Sequence, residues 1–377
     1  CLMPPLIHLF SFLGQRHPTT EGLAFYAQLG LGNWSRKGVM LVACGVFTVG
    51  MPALFMVGGS YLARLGGLGE SWTTPCAMLL AVLTTGINLL GVEKLGWLNR
   101  WVVLLIVGAV GGISLGALPM IAKEVGKLDA QALSGLSVNN IWLAASIVFF
   151  VFQGWENLTF GFGELKNPQR DIPRIYWLSF AFVALISLCL ATAVSAAALA
   201  GHPAHGLSGL AALLPSGPAG QVLLALIALI LVANANACVF PASRAFYAAA
   251  TAGALPAAFA RTNHKNLPAR SLWLALIVYL SVMLLQVGLD LTPAQCFLAS
   301  TQCCILLYGA VILAFWKNAP GWKNRLIAFA ALAAWLFLMQ GFGWLIVYPL
   351  TLLAIGAVMT RIADRRSKAR RTFSSFG

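Results

Sequence analysis

Charge is what this sequence lacks. Only 9% of its 377 residues are Asp, Glu, Lys or Arg, and just 10 of those are acidic, whereas soluble domains carry about 25% charged residues. With 60% apolar residues and a mean hydropathy of +0.85, a water-soluble enzyme is excluded. Other absences narrow the field further. No glycine-lysine Walker A loop is present, so ATP hydrolysis is not encoded. No Ser/His, paired-Asp or H-E-x-x-H constellation lies at membrane depth, which argues against an intramembrane enzyme. The 8 cysteines fall almost wholly inside apolar stretches and show no C-x-x-C or C-x-x-H spacing; they read as small buried hydrophobes without disulfides or metal. His202 and His205 have no nearby acid or Cys to complete a metal site. No metal and no cofactor is expected. The net charge of +14 does not indicate nucleic acid, because the basic residues sit between apolar blocks rather than on one soluble face.

What fills the chain is apolar runs of about 20 residues, each long enough for a helix to cross a bilayer of ~30 Å. Ten full spans are expected, at 39–63, 73–92, 98–118, 141–162, 174–200, 220–243, 271–288, 294–315, 322–340 and 342–360, after a half-span at Leu2–Leu13. In lipid each span must satisfy its own backbone hydrogen bonds, and the runs lack the alternation of a membrane barrel. The expectation is an all-α polytopic membrane protein: a single transmembrane domain over 1–360 and a basic cytoplasmic tail, disordered, over 361–377.

Lys and Arg set the orientation. Twenty-one of the 24, including Arg16, Arg36, Lys166, Arg170, Lys317, Lys323, Arg325 and the six of the tail from Arg361 to Arg371, fall on one side of the expected spans. Only Arg64, Lys123 and Lys127 fall on the other, which puts the tail and the first loop in the cytoplasm. Trp34, Trp72, Trp273, Trp316, Trp322 and Trp344 lie near span ends, where an indole bridges apolar and wet zones.

An ionised group in hydrocarbon is costly. Nine of the 10 acids fall in loops or at span ends; Glu156 alone lies well inside a span, in Phe149-Phe150-Val151-Phe152-Gln153-Gly154-Trp155-Glu156-Asn157. Three polar side chains around a glycine suggest a local break in the helix, where freed carbonyls and amides line a cavity and bind ions or zwitterions. Two readings stand for Glu156: a functional carboxylate, or a structural one that braces the break. Asn234 and Asn236 point to different faces of their helix and, with Thr301 and Gln302, read as interhelical hydrogen-bonding residues. Thr48 and Ser60 are expected to bond their own backbone, and Gly58 and Gly59 to permit close helix packing.

F-x-x-F-x-G-W-E at 149–156, followed by E-x-K-N-P-x-R-D-I-P-R at 164–174, resembles the hallmark of the amino acid–polyamine–organocation (APC) superfamily of transporters. Weaker matches keep the family's order: His17-Pro18-Thr19-Thr20-Glu21-Gly22 with Tyr26, Asn88-Leu89-Leu90-Gly91-Val92, and Ser243 through Pro256. The resemblance implies a LeuT-like inverted repeat of five plus five helices, with broken first and sixth helices crossing at midplane. Segment 141–162 would be the sixth. The chain would begin within the second, with the first upstream of Cys1, so a non-transporting remnant or membrane scaffold is the alternative reading. Glu21 replaces a usual glycine. By position in the motif, Phe150 would gate the substrate, Gln153 and Gly154 would offer backbone polar groups, Trp155 would pack beside them and Phe152 joins them as a substrate-binding candidate; for Phe150, Phe152 and Trp155 the other reading is lipid-facing or core packing. Glu156 would couple the break to neighbouring helices or to a proton, and Asn157 is counted with these as a substrate-binding residue. The implied function is secondary active transport of amino acids or related small amines across the plasma membrane by alternating access, proton-coupled or by exchange.

Overall fold

The computed structural model describes residues 3–19, 21–90, 95–124, 137, 154, 158–201, 217–263, 267–340 and 343–374. Its long elements are helices: α1 (Met3–Arg16), α2 (Leu23–Leu31), α3 (Arg36–Leu65), α4 (Thr73–Leu89), α5 (Leu95–Glu124), α6 (Pro168–Leu199), α7 (Pro218–Thr251), α8 (Ala269–Gly288), α9 (Pro293–Asn318), α10 (Trp322–Met339) and α11 (Val347–Ser374). Among the described residues, 8 helices are long and apolar enough to cross a membrane. The protein is therefore a multi-pass membrane protein. Those eight are α3, α4 and α6 to α11, and each takes up one expected span. Helix α5, 30 residues long, covers the expected 98–118. The expected span 141–162 lies outside the described residues apart from 154 and 158–162.

Local chemistry explains the helix ends. Thr292 and Gln295 form a capping box on α9: the Gln295 N–H donates to the Thr292 hydroxyl at 3.3 Å, and the Thr292 N–H donates to Gln295 Oε1 at 2.9 Å. Helix α7 runs past the expected end at 243 because Ser243–Thr251 is rich in alanine, the best helix former. It stops where Gly253 turns to φ 72°, letting the Ala254 N–H reach the Ala249 carbonyl at 2.8 Å and the Gly253 N–H reach that of Ala250 at 3.0 Å. The tail corrects an expectation. Instead of being disordered from Arg361, the chain stays helical to Ser374, because Ala, Arg and Lys favour helix and extend an existing one without a new nucleus.

Helix α3 is the hub. It packs against α2, α4, α7, α8, α9 and α11. Its glycines let other backbones come close: a Cβ on Gly59 would sit 2.5 Å from the Thr73 carbonyl oxygen and 2.7 Å from the Ala77 nitrogen of α4. Gly58 instead faces the Leu80 side chain, whose Cδ2 would lie 2.8 Å from a Cβ there. Thr48 and Ser60 donate to Cys44 O at 3.0 Å and Val57 O at 2.8 Å within the helix itself. Helix α1 is short, about 21 Å at 1.5 Å per residue. Its Leu6, Ile7, Leu9, Phe10 and Leu13 are nonetheless all buried, because α6, α9 and α10 surround it.

Candidate functional site

Of the seven residues that the sequence marks, Gly154 is described, and Phe150, Phe152, Gln153, Trp155, Glu156 and Asn157 lie outside the described residues. Gly154 has φ 119°, a conformation side-chain-bearing residues rarely adopt and far from the −63° of an α-helix. The chain therefore turns at this glycine.

The segment C-terminal to that turn is held firmly from Thr159 onward. Thr159–Glu164 forms a 3-10 turn, and the Gly163 N–H donates to the Thr19 carbonyl at 3.2 Å, tying it to the connection between α1 and α2. Phe162 is buried against Gly14, where a Cβ would lie 2.7 Å from its ring, and meets Tyr176 edge-on at 5.6 Å. The E-x-K-N-P motif then starts α6: Pro168 occupies the first turn, where its missing N–H costs nothing, and Asp171 suits the positive helix end. Gln15 and Gln169 exchange amide-to-carbonyl hydrogen bonds at 2.6 and 2.7 Å across α1 and α6. Tyr26 donates to the His17 carbonyl at 2.9 Å, and burial pushes its phenol well above the ordinary range. Further along the same end, the Arg16 side chain donates to Asn318 O at 2.5 Å and the Lys317 ammonium to Gly30 O at 2.6 Å. Residues 159–167 are thus joined to α1, to the connection between α1 and α2, and to α6.

A second polar group lies in the bundle interior, between α4 and α7. The buried Asn88 amide donates to Thr84 O at 2.9 Å, to Asn236 O at 3.2 Å and to Asn236 Oδ1 at 3.0 Å. Asn236 thus bonds across helices, as its position suggests. Asn234 faces away and is exposed, with Oδ1 accepting a weak 3.9 Å contact from Cys238 Sγ. The partner, Asn88, is visible in sequence as a motif residue, but nothing there pairs it with Asn236. Gln302 departs from expectation: it is fully buried, yet among the described residues neither its amide nitrogen nor its oxygen has a partner. Its neighbour Thr301 donates to Phe297 O at 2.9 Å in its own helix. The pairing of Gln286 Nε2 with Cys296 Sγ at 2.8 Å carries no sequence signal.

The sequence profile described as amino acid permease matches residues 2–375. The chain belongs to the amino acid permease family. The uncharacterized amino acid permease YecA of Bacillus subtilis (strain 168) is 25% identical over 354 residues, 90% of this chain and 80% of its own length. The L-methionine/branched-chain amino acid exporter YjeH of Escherichia coli (strain K12) is 23% identical over 186 residues, 49% of this chain and 43% of its own. The uncharacterized transporter Rv1999c of Mycobacterium tuberculosis (strain ATCC 25618 / H37Rv) is 24% identical over 183 residues, 48% of this chain and 40% of its own. The permease thus spans less than half the length of the latter two. Membership places it among membrane transporters of the APC superfamily rather than among enzymes.

Proposed function

We propose that this permease is a secondary active transporter that moves amino acids or related small amines across the plasma membrane by alternating access, driven by a proton gradient or by exchange. The observation that carries the reading is the family match over residues 2–375, which takes in the segment holding the one deep carboxylate of the sequence. In a five-plus-five inverted repeat, 141–162 acts as the broken sixth helix. Freed backbone groups at Gln153 and Gly154 meet the substrate, Phe150 closes over it beside Phe152 and Trp155, and Glu156 with Asn157 links the break to a proton or to neighbouring helices. The positive φ at Gly154 supports a break at that point. The joining of 159–167 to the α1–α2 connection supplies a route from the break to the end of the bundle that opens and closes. The asymmetry of Lys and Arg supports a cytoplasmic tail and α1–α2 connection.

Substrate preference derives from charge. No Lys or Arg lies deep in the expected spans, which favours an apolar side chain over an anionic one, and the name of the Escherichia coli relative puts methionine and branched-chain amino acids first in any panel. The test is flux of labelled amino acids in proteoliposomes holding this chain or Glu156→Gln, across imposed proton gradients. Gradient-driven flux of an aliphatic amino acid, lost in the variant, is the expected result. Folded protein that moves none of the panel would overturn the proposal.

A further inference from the structure

A cavity of about 470 Å³ lies between α2, α3, α9, α10 and α11, within the ~300–1,000 Å³ usual for small-molecule sites. Its walls include Leu306, Leu313, Trp316, Phe329, Leu332 and Trp335. The Trp335 indole N–H is already committed to the Ile305 carbonyl at 2.6 Å. An amino acid's ammonium and carboxylate would find no partners on such walls and would lose their hydration. Hydrocarbon fits them.

Position says which hydrocarbon. Leu313 and Phe329 are 47% and 60% exposed, so the cavity opens on the perimeter of the bundle, where lipid is the solvent. Along α9 it runs from Trp316 to Leu306, about 15 Å at 1.5 Å per residue, roughly half of a ~30 Å hydrocarbon core. That is the depth one acyl chain reaches from its headgroup. The Trp316 end of the cavity is the charged end. The Arg325 guanidinium lies 4.1 Å from the Trp316 ring centroid, and Trp316 meets Phe329 edge-on at 5.6 Å. The Lys317 ammonium sits on Gly30 O, next to Leu31, which lines the cavity. From Trp316 to Leu326 the sequence holds Lys317, Lys323 and Arg325 and no acid. A guanidinium stacked on an indole still presents its N–H edges, the fork that matches phosphate oxygens. A second copy of the chain fits poorly here, since a symmetric contact would bring the same basic residues against themselves.

We propose that this cavity binds an anionic glycerophospholipid, one acyl chain lying along α9 and α10 and the phosphate held by Arg325 and Lys317. The test uses the full chain in nanodiscs with phosphatidylglycerol carrying a diazirine midway along one acyl chain, and a matched phosphatidylcholine probe, with labelled peptides mapped by mass spectrometry. Phosphatidylglycerol should label 306–316 and 328–335 above the rest of the lipid-facing surface. Leu332→Trp, which fills the cavity, should remove the enrichment. Arg325→Gln, at an exposed position that leaves folding intact, should lower phosphatidylglycerol labelling about fivefold and leave phosphatidylcholine labelling unchanged. Labelling spread evenly over the exposed faces of α6, α8 and α10, or equal for the two probes, would reduce the site to ordinary solvating lipid and overturn the proposal. Cross-links to a second copy at these residues would overturn it in favour of a protein interface.

Discussion

Helices α6 and α9 are both strongly apolar, α6 the more so, yet 17% of the apolar window of α6 is buried and 72% of that of α9. In water the more apolar helix would be the more buried. In lipid the acyl chains solvate leucine as well as another helix does, so apolarity does not select the interior; close backbone approach and hydrogen bonds do. Helix α6 turns Leu178, Phe182, Leu185 and Leu188 outward. Helix α9 instead carries Ala299, Ser300, Thr301, Cys303, Cys304 and Ala310 into the bundle. Ser300 donates to Val46 O of α3 at 2.8 Å, a bond between helices that leucine could not make.

The largest expected effect tests small residues as the cause of burial. Gly59 on α3 and Gly86 on α4 are both helical glycines, but a Cβ on Gly59 meets backbone atoms of α4 while one on Gly86 meets nothing within 4 Å. Gly59→Ala should destabilise by about 2–3 kcal/mol, because backbone must shift. Gly86→Ala should stabilise by up to about 1 kcal/mol through helix propensity. Reversible unfolding in mixed micelles reads both. The same sign for the two would sink the account.

A smaller effect tests hydrogen bonding across the interior. Asn88→Ala should cost about 1–2 kcal/mol, since it strands the buried Asn236 Oδ1, and Asn236→Ala should cost less, because the Asn88 amide keeps Thr84 O and the backbone carbonyl of residue 236 as acceptors. A double-mutant cycle should give a coupling of about 0.6–1.7 kcal/mol. Zero coupling would mean that the two amides serve separate roles.

Much of this architecture can be read in the sequence because the bilayer imposes a simple rule: about 20 apolar residues per crossing. That rule locates α3, α4 and α6 to α11, though not the C-terminal ends of α7 and α11, which run 8 and 14 residues past the expected spans. It is silent on which faces meet. The close approach at Gly59 is legible because Gly58-Gly59 has few other uses within a span, whereas the pairing of Asn88 with Asn236 joins residues 148 apart that no local pattern links. The helical tail escapes a sequence reading because its charge suggests disorder, while its backbone simply continues α11. At the candidate site, the turn at Gly154 can be read locally, from a glycine among polar side chains in an apolar run, while Glu156 lies outside the described residues. The docking of Phe162 on Gly14 cannot, since it depends on α1 and α6 arriving together.

Gln302 gives the smallest expected change in stability and the sharpest contrast with the Asn88 pair. Both are buried amides, but Asn88 has three acceptors within 3.2 Å, while Gln302 has no partner among the described residues. Burying an unpaired amide costs about 1–3 kcal/mol, and an apolar group of similar volume removes that cost. Gln302→Leu should therefore leave the protein as stable or raise stability by up to about 1 kcal/mol, the opposite sign to Asn88→Ala. The amide serves either the resting fold, through a bond outside the described residues, or the transport cycle, through a conformation in which it is paired. Unfolding and flux measured on the same variant separate the two roles. Unchanged stability with lost flux would assign Gln302 to the transport cycle. A clear loss of stability would show instead that its amide is bonded in the resting fold, and the contrast with Asn88 would fall.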